Sequence, residues 1–276
     1  MAVSFVVVPQ WQGSPSARAM AHAEGARAIL DDLPRARTQT VTVPLEAGDD
    51  AGTGISRFSS LQLIRERLGD TLGDMEGPVI TIGGDCAVST AAVGHAAREA
   101  VAGEEGGMAL VWLDAHPDLN SPAHSPSGAF AGMVLRDLID ADIVPASHVV
   151  VAGARSWDAE ERAFADAHGV RALTVDELAD PSALVDAVTG SGAKSVYVHV
   201  DLDVLDPAEL DGLLDPEPFG LTADALIAAI RSLVTSLPLA GATIAGYAPR
   251  SEEGRVNDAS TLLRLVGVLS TTPGPR

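Results

Sequence analysis

The chain has 276 residues, 46% of them hydrophobic, enough for a sizeable core in one large α/β domain or two small ones. Its 18 basic and 38 acidic residues leave a net charge of −20, a surface that repels nucleic acid and anionic lipid but is compatible with cationic small molecules and divalent metals. Cys86 is the only cysteine, so no intramolecular disulfide can form. The N-terminal MAVSFVVVPQ carries neither a basic leader nor a small-residue cleavage site, and it reads as a strand over 3–8. A helix over 16–31 follows, then a strand at 39–43, a helix at 59–74 and a strand at 78–82. The pattern continues with a helix at 87–102 and strands at 108–114 and 148–152. After a helix at 157–168 come a strand at 170–174, a helix at 181–189 and a strand at 195–201. A helix at 222–235, a strand at 242–247 and a helix at 257–269 close the chain, with STTPGPR read as a frayed tail. No apolar run approaches the ~20 residues needed to span a bilayer, so a cytoplasmic location is the expectation.

The interior strands are nearly continuous apolar runs, as in a parallel sheet buried on both faces. Strand and helix alternate without a long linker or an internal repeat. The expectation is therefore one α/β domain over 1–276, with a central sheet of about eight strands. The conspicuous polar residues follow strands. Gly83, Gly84 and Asp85 come after the third, Asp114 to Asp118 close the fourth, Gly153 to Asp158 follow the fifth, and Asp201 and Asp203 end the seventh. Open parallel sheets place their ligand crevices at these carboxyl ends.

Asp114, His116 and Asp118 share one side of an extended segment, as do Asp201 and Asp203, because side-chain direction has period two. Four carboxylates brought to one crevice repel each other unless cations intervene. An oxygen-rich set with one imidazole suits manganese or a similar divalent ion. Two such ions sharing carboxylates would hold a bridging water with its pKa near neutral. Either segment alone reads equally as a loop or a turn; both together, each after an apolar strand, point to metal.

Three segments carry a family resemblance. VWLDAHPDLNSP resembles the arginase–agmatinase signature in which a strand ends in Asp-Ala-His-x-Asp, VHVDLDVLDP resembles its Asp-x-Asp-x-x-Asp-Pro, and ITIGGDCAVS resembles its Gly-Gly-Asp-His-Ser. PEPFGLT at 216–222 also matches, and the fit in order and spacing runs from about residue 78 to 250. The resemblance implies a three-layer α/β/α sandwich, a binuclear manganese site and a trimeric or hexameric homo-oligomer. It implies Asp114 and Asp201 as bridging carboxylates, Asp118 on the first metal, and His116 and Asp203 on the second. A metal-bridging hydroxide, held by Asp118, would attack a guanidino or amidino carbon. Asn120 and Ser127 match contacts to the substrate's α-carboxylate. Asp158 matches a contact to its amino group, although it serves equally as a helix N-cap.

Three departures from the family pattern matter most. Cys86 stands where a histidine completes the first metal's shell. It is read either as a true ligand, whose softer thiolate admits zinc, iron or cobalt, or as a small buried residue beside a weakened site. Ala131 stands where the family has a proton-shuttling histidine; His124 in the same loop is the candidate substitute, or else a solvated loop residue. Gly246 replaces the glutamate that meets the guanidinium, with Glu252 and Glu253 in a following turn. Ala129 also replaces an asparagine contact. His199 shares a face with Asp201 and either orients it or is a core histidine, and Trp11 and Trp157 are structural or line a pocket mouth. The expected function is a metal-dependent hydrolase cleaving a non-peptide C–N bond of a small guanidino, amidino or formimino substrate other than plain arginine. The alternative is a catalytically silent arginase-like binding or regulatory protein.

Overall fold

A computed structural model describes residues 3–103 and 107–271. Strands β1 (Ser4–Val8), β2 (Thr38–Thr40), β3 (Val79–Gly83), β4 (Met108–Leu113), β5 (Val149–Ala152), β6 (Arg171–Leu173), β7 (Ser195–Asp201) and β8 (Leu239–Ala245) form one sheet in the order β2-β1-β3-β8-β7-β4-β5-β6. Every neighbouring pair is parallel. The helices are α1 (Met20–Leu30), α2 (Phe58–Gly73), α3 (Ser89–Gly103), α4 (Val134–Asp140), α5 (Ala159–His168), α6 (Ala183–Gly190), α7 (Ala223–Ser236) and α8 (Glu252–Leu269).

Alternate strand residues separate into two cores. Phe5, Val7, Val111 and Leu113 pack with Ala26 of α1, Leu184 of α6, Ile230 of α7 and Leu265 of α8. Val6, Val8, Leu110 and Trp112 pack with Ile64 of α2, Val93 of α3, Leu138 of α4 and Phe164 of α5. A parallel sheet with helices on both faces is the expected three-layer α/β/α sandwich. The chain leaves β3 on one side of β8 and β7 and returns in β4 on the other, so a crevice opens at the carboxyl ends of these four strands.

The sequence reading misplaced several boundaries. Helix α4 has no counterpart among the expected elements, because its 7 residues are too few to show a helical period, although Leu135, Leu138 and Ile139 bury one face. Strand β8 begins at Leu239 instead of 242, with Gly241 packed against the Tyr197 ring where no larger residue fits. Helix α8 begins at Glu252 because Ser251 Oγ accepts from Gly254 N as an N-cap. SEEGR is therefore the first turn of that helix, and Glu252 pairs with Arg255 at 2.6 Å. Of the tail, Ser270 and Thr271 bond back onto α8, and residues 272–276 lie outside the described residues. No helix among the described residues is long and apolar enough to cross a membrane.

Candidate metal centre

At the end of β3 the chain must turn sharply beneath the 10–13 loop. Gly84 permits this, since a Cβ there would overlap the Gln10 carbonyl. Asp85 then fastens the turn, accepting from Gln10 Nε2 and Gly13 N at 2.8 Å each and from Ala87 N at 3.0 Å. This leaves Cys86 facing the crevice, with its Sγ donating to Asp201 Oδ2 at 2.9 Å. Burial, and then the charges of Asp201, Asp118 and Asp114, hold the thiol well above its ordinary pKa.

The ends of β4 and β7 supply the remaining donors. His116 Nδ1 lies 3.0 Å from Asp203 Oδ2 and 3.5 Å from Asp114 Oδ1. Ala115 N donates to Asp203 Oδ1 at 2.9 Å, and Asp203 N donates to Asp201 Oδ1 at 2.9 Å. Burial alone would lower the His116 pKa, but its bonds to Asp114 and Asp203 outweigh that and raise it to about 12. Burial raises Asp201 to about 7 and Asp203 to about 6, each helped by a neighbouring carboxylate. Asp118 adopts a left-handed backbone with φ of 50°, and its buried Oδ2 has no hydrogen-bond partner among the described residues.

A partnerless buried carboxylate oxygen is costly, and four carboxylates this close resist ionising together. A divalent cation relieves both penalties, so the residues present fit a metal centre. Donor atoms of Asp114, His116 and Asp203 lie within 4.8 Å of one another, and so do those of Cys86, Asp114 and His199. The second grouping was not expected. His199 is fully buried, stacks on Trp112 at 3.5 Å, and bonds through Nδ1 to Ser89 Oγ at 2.8 Å; no bond to Asp201 is seen.

Cys86, Asp114, His116, Asp118, Asp201 and Asp203 line a crevice of about 330 Å³ together with Asn120, Ser127 and Asp158, while His199 lies behind that lining. Asp158 sits at the N-cap of α5, and its Oδ2 accepts from Asn120 Nδ2 at 3.0 Å. Glu161 accepts from Asp158 N and from Leu119 N, tying α5 to the turn after Asp118. Arg155 closes the opposite loops, donating to the carbonyls of Asp203 at 2.8 Å, Glu217 at 2.7 Å and Pro218 at 3.0 Å.

Other sequence candidates fall elsewhere. The Ser121–Ser125 turn directs His124 outward, where Nδ1 meets Ser121 Oγ at 2.9 Å and Nε2 lies 3.9 Å from Glu160. It lines a separate shallow depression beside Arg136, so the expectation of a proton carrier at His124 does not fit its placement. Ala131 does line the crevice. Gly246 follows β8 with φ of 85°, and a Cβ there would overlap the Asp201 carboxylate. Glu252 and Glu253 do not line the crevice, and neither do Trp11 and Trp157. Trp157 Nε1 instead donates to Ala154 O at 3.0 Å, and Arg57 covers the Trp11 ring. Sequence reasoning missed His22 and Asp215, which line the crevice from α1 and from the loop before 216. A histidine on an amphipathic helix carries no local signal that it faces a distant strand end.

Comparison with known proteins fits this geometry. The arginase family profile matches residues 14–269. Proclavaminate amidinohydrolase of Streptomyces clavuligerus is 32% identical over 182 residues, covering 64% of this chain and 56% of that protein. Formimidoylglutamase of Bacillus subtilis is 25% identical over 177 residues, covering 62% of this chain and 53% of that protein. In these alignments the chain thus spans about half the length of the curated relatives. Among solved structures, Entamoeba histolytica arginase in complex with L-ornithine superposes with a TM-score of 0.83 at 21% identity, covering 97% of both chains.

Proposed function

The chain belongs to the arginase family, and from that membership we propose that it is a metal-dependent hydrolase cleaving a non-peptide C–N bond in a small guanidino, amidino or formimino substrate. The observation that carries this reading is the convergence of Cys86, Asp114, His116, Asp118, Asp201 and Asp203 on the floor of one crevice. Asp114 and Asp201 would hold both ions, Cys86 and Asp118 the first, and His116 and Asp203 the second. Two such ions supply Lewis acidity and a water ionised near neutral pH. Asp118 would hold the attacking water, a role supported by its Oδ2 having no hydrogen-bond partner among the described residues. Cys86 takes the position of the family histidine; its thiolate admits zinc, iron or cobalt at the first site, beside manganese at the second.

Plain arginine is excluded from this proposal. Gly246 offers no carboxylate to a guanidinium, and a buried guanidinium without such a partner is destabilised by several kcal/mol. A less basic or modified group fits better. Asn120, Ser127 and Asp158 would take the amino-acid end of the substrate. Ala131 and Gly246 are what a silent family member would carry, but the intact buried donor set weighs against silence. The rest of the reading is a single domain over 1–276 in a cytoplasmic homo-oligomer of three or six chains, which light scattering would count.

Metal analysis of the purified protein is expected to give close to two divalent ions per chain. A screen for urea or ammonia release across guanidino, amidino and formimino acids is then expected to find a substrate better than arginine. A protein that binds no divalent ion would sink the hydrolase reading, and arginine as the best substrate would overturn the specificity.

A further inference from the structure

His199 is a buried histidine with one nitrogen unaccounted for. Its Nδ1 meets Ser89 Oγ at 2.8 Å, while Nε2 has no hydrogen-bond partner among the described residues. Ser89 Oγ also donates to Thr243 Oγ1 at 3.1 Å, and with its hydrogen used there it accepts from the imidazole. The Nδ1–H is therefore the donor, and Nε2 presents a bare lone pair. Nε2 lies 4.0 Å from Asp114 Oδ2, too far for a hydrogen bond, and that oxygen accepts from Trp112 Nε1 at 3.1 Å instead. A buried acceptor without a donor is unfavourable as it stands and favourable beside a cation. A histidine that donates one ring N–H to a fixed acceptor and turns the other nitrogen inward is the usual arrangement of a metal ligand.

We propose that His199 Nε2, Cys86 Sγ and Asp114 together hold the first metal ion, so that the imidazole family members place at position 86 comes here from β7. This rests on the metal-hydrolase reading above and adds a ligand to it. The three donor atoms lie within 4.8 Å of one another. Donors on a tetrahedral zinc sit roughly 3.5 Å apart, given bond lengths of about 2.0–2.3 Å, so small side-chain rotations close the set. The Cys86 proton, now donated to Asp201, leaves to solvent when the ion binds. Thiolate with imidazole selects a borderline ion, zinc or cobalt, over manganese. The two halves of the centre thus differ in preference: Cys86, Asp114 and His199 for a thiophilic ion, and Asp114, His116 and Asp203 for a harder one.

Titrating the chelated protein with cobalt(II), followed by absorbance, tests this directly. Wild-type protein is expected to develop a near-ultraviolet thiolate-to-cobalt band and to bind two ions. His199→Gln is expected to bind one, with the band lost or strongly weakened, and Cys86→Ser to bind one without the band. Ser89→Ala, which keeps the imidazole but frees its Nδ1, is expected to weaken the first site by about 10–100-fold. If His199→Gln retained two ions at unchanged affinity, or if wild type bound two ions without the sulfur band, the assignment would be overturned. Zinc-edge X-ray absorption of the wild-type protein needs no variant. One sulfur and two imidazoles shared over two ions support the proposal, and one sulfur with a single imidazole overturns it. Wild-type protein that binds neither cobalt nor zinc would instead overturn the underlying metal-hydrolase reading.

Discussion

At position 246 two constraints act on one residue. The backbone sits at φ of 85°, where glycine is unstrained, and the space a Cβ would take is filled by the Asp201 carboxylate. The glycine at 246 is therefore bound up with the placement of Asp201. Gly246→Ala is expected to lower stability by more than about 1 kcal/mol and to reduce bound metal by displacing Asp201. Denaturant unfolding and metal content of the variant would check this, and full metal occupancy would show that Asp201 has room to move. Cys86 shows the same dependence: its thiol donates to Asp201, a residue 115 positions away in sequence.

At the scale of elements, the centre depends on how the helix starts are joined to the strand ends. Glu161 in the first turn of α5 accepts from the Leu119 backbone N–H and from Asp158 N, so the turn carrying Asp118 is fixed by a helix it does not belong to. Glu161→Ala would leave the Leu119 N–H buried without its partner, which costs about 1–3 kcal/mol. The expected result is a lower denaturation midpoint and weaker binding of the first ion, with the second little changed. Equal weakening of both ions would contradict this division. Arg155 joins the loops after β5 and β7 to the 216–220 segment through backbone carbonyls, and from that segment the Glu217 carboxylate reaches to 3.9 Å from His116 Nε2.

Across the whole molecule, a net charge of −20 sits on a chain whose buried acids, Asp258 apart, line one crevice among the described residues. Without metal, burial raises Asp201 to about 7 and Asp203 to about 6, above the ordinary value of about 4. A carboxyl raised in the folded state stabilises fully below its unfolded pKa and loses that contribution as pH rises through the folded one. His116, raised to about 12, acts in the same direction above its ordinary value of about 6.5. Chelated protein is therefore expected to lose Tm between about pH 5 and pH 8. Saturating metal should oppose that trend, because the ligands bind deprotonated and affinity rises with pH. Calorimetry with and without chelator would measure both slopes, and a rising Tm in chelator would contradict the placement of these carboxyls.

The sequence by itself determined the layered architecture and the candidate metal motifs, because both are local. Apolar runs mark buried parallel strands, and period two places Asp114, His116 and Asp118, or Asp201 and Asp203, on one side of a strand end. Short or capped elements were less legible: α4 is too brief to show a period, and the start of α8 lay behind SEEGR. Only the tertiary structure decided which other residues join the centre. The order β3-β8-β7-β4 sets Ser89, Thr243 and His199 side by side, faces Cys86 towards Asp201 and closes position 246 to any side chain. It also places His22 in the crevice and leaves His124 outside. Those outcomes depend on contacts between residues far apart in the chain, for which a single sequence has no periodic signal.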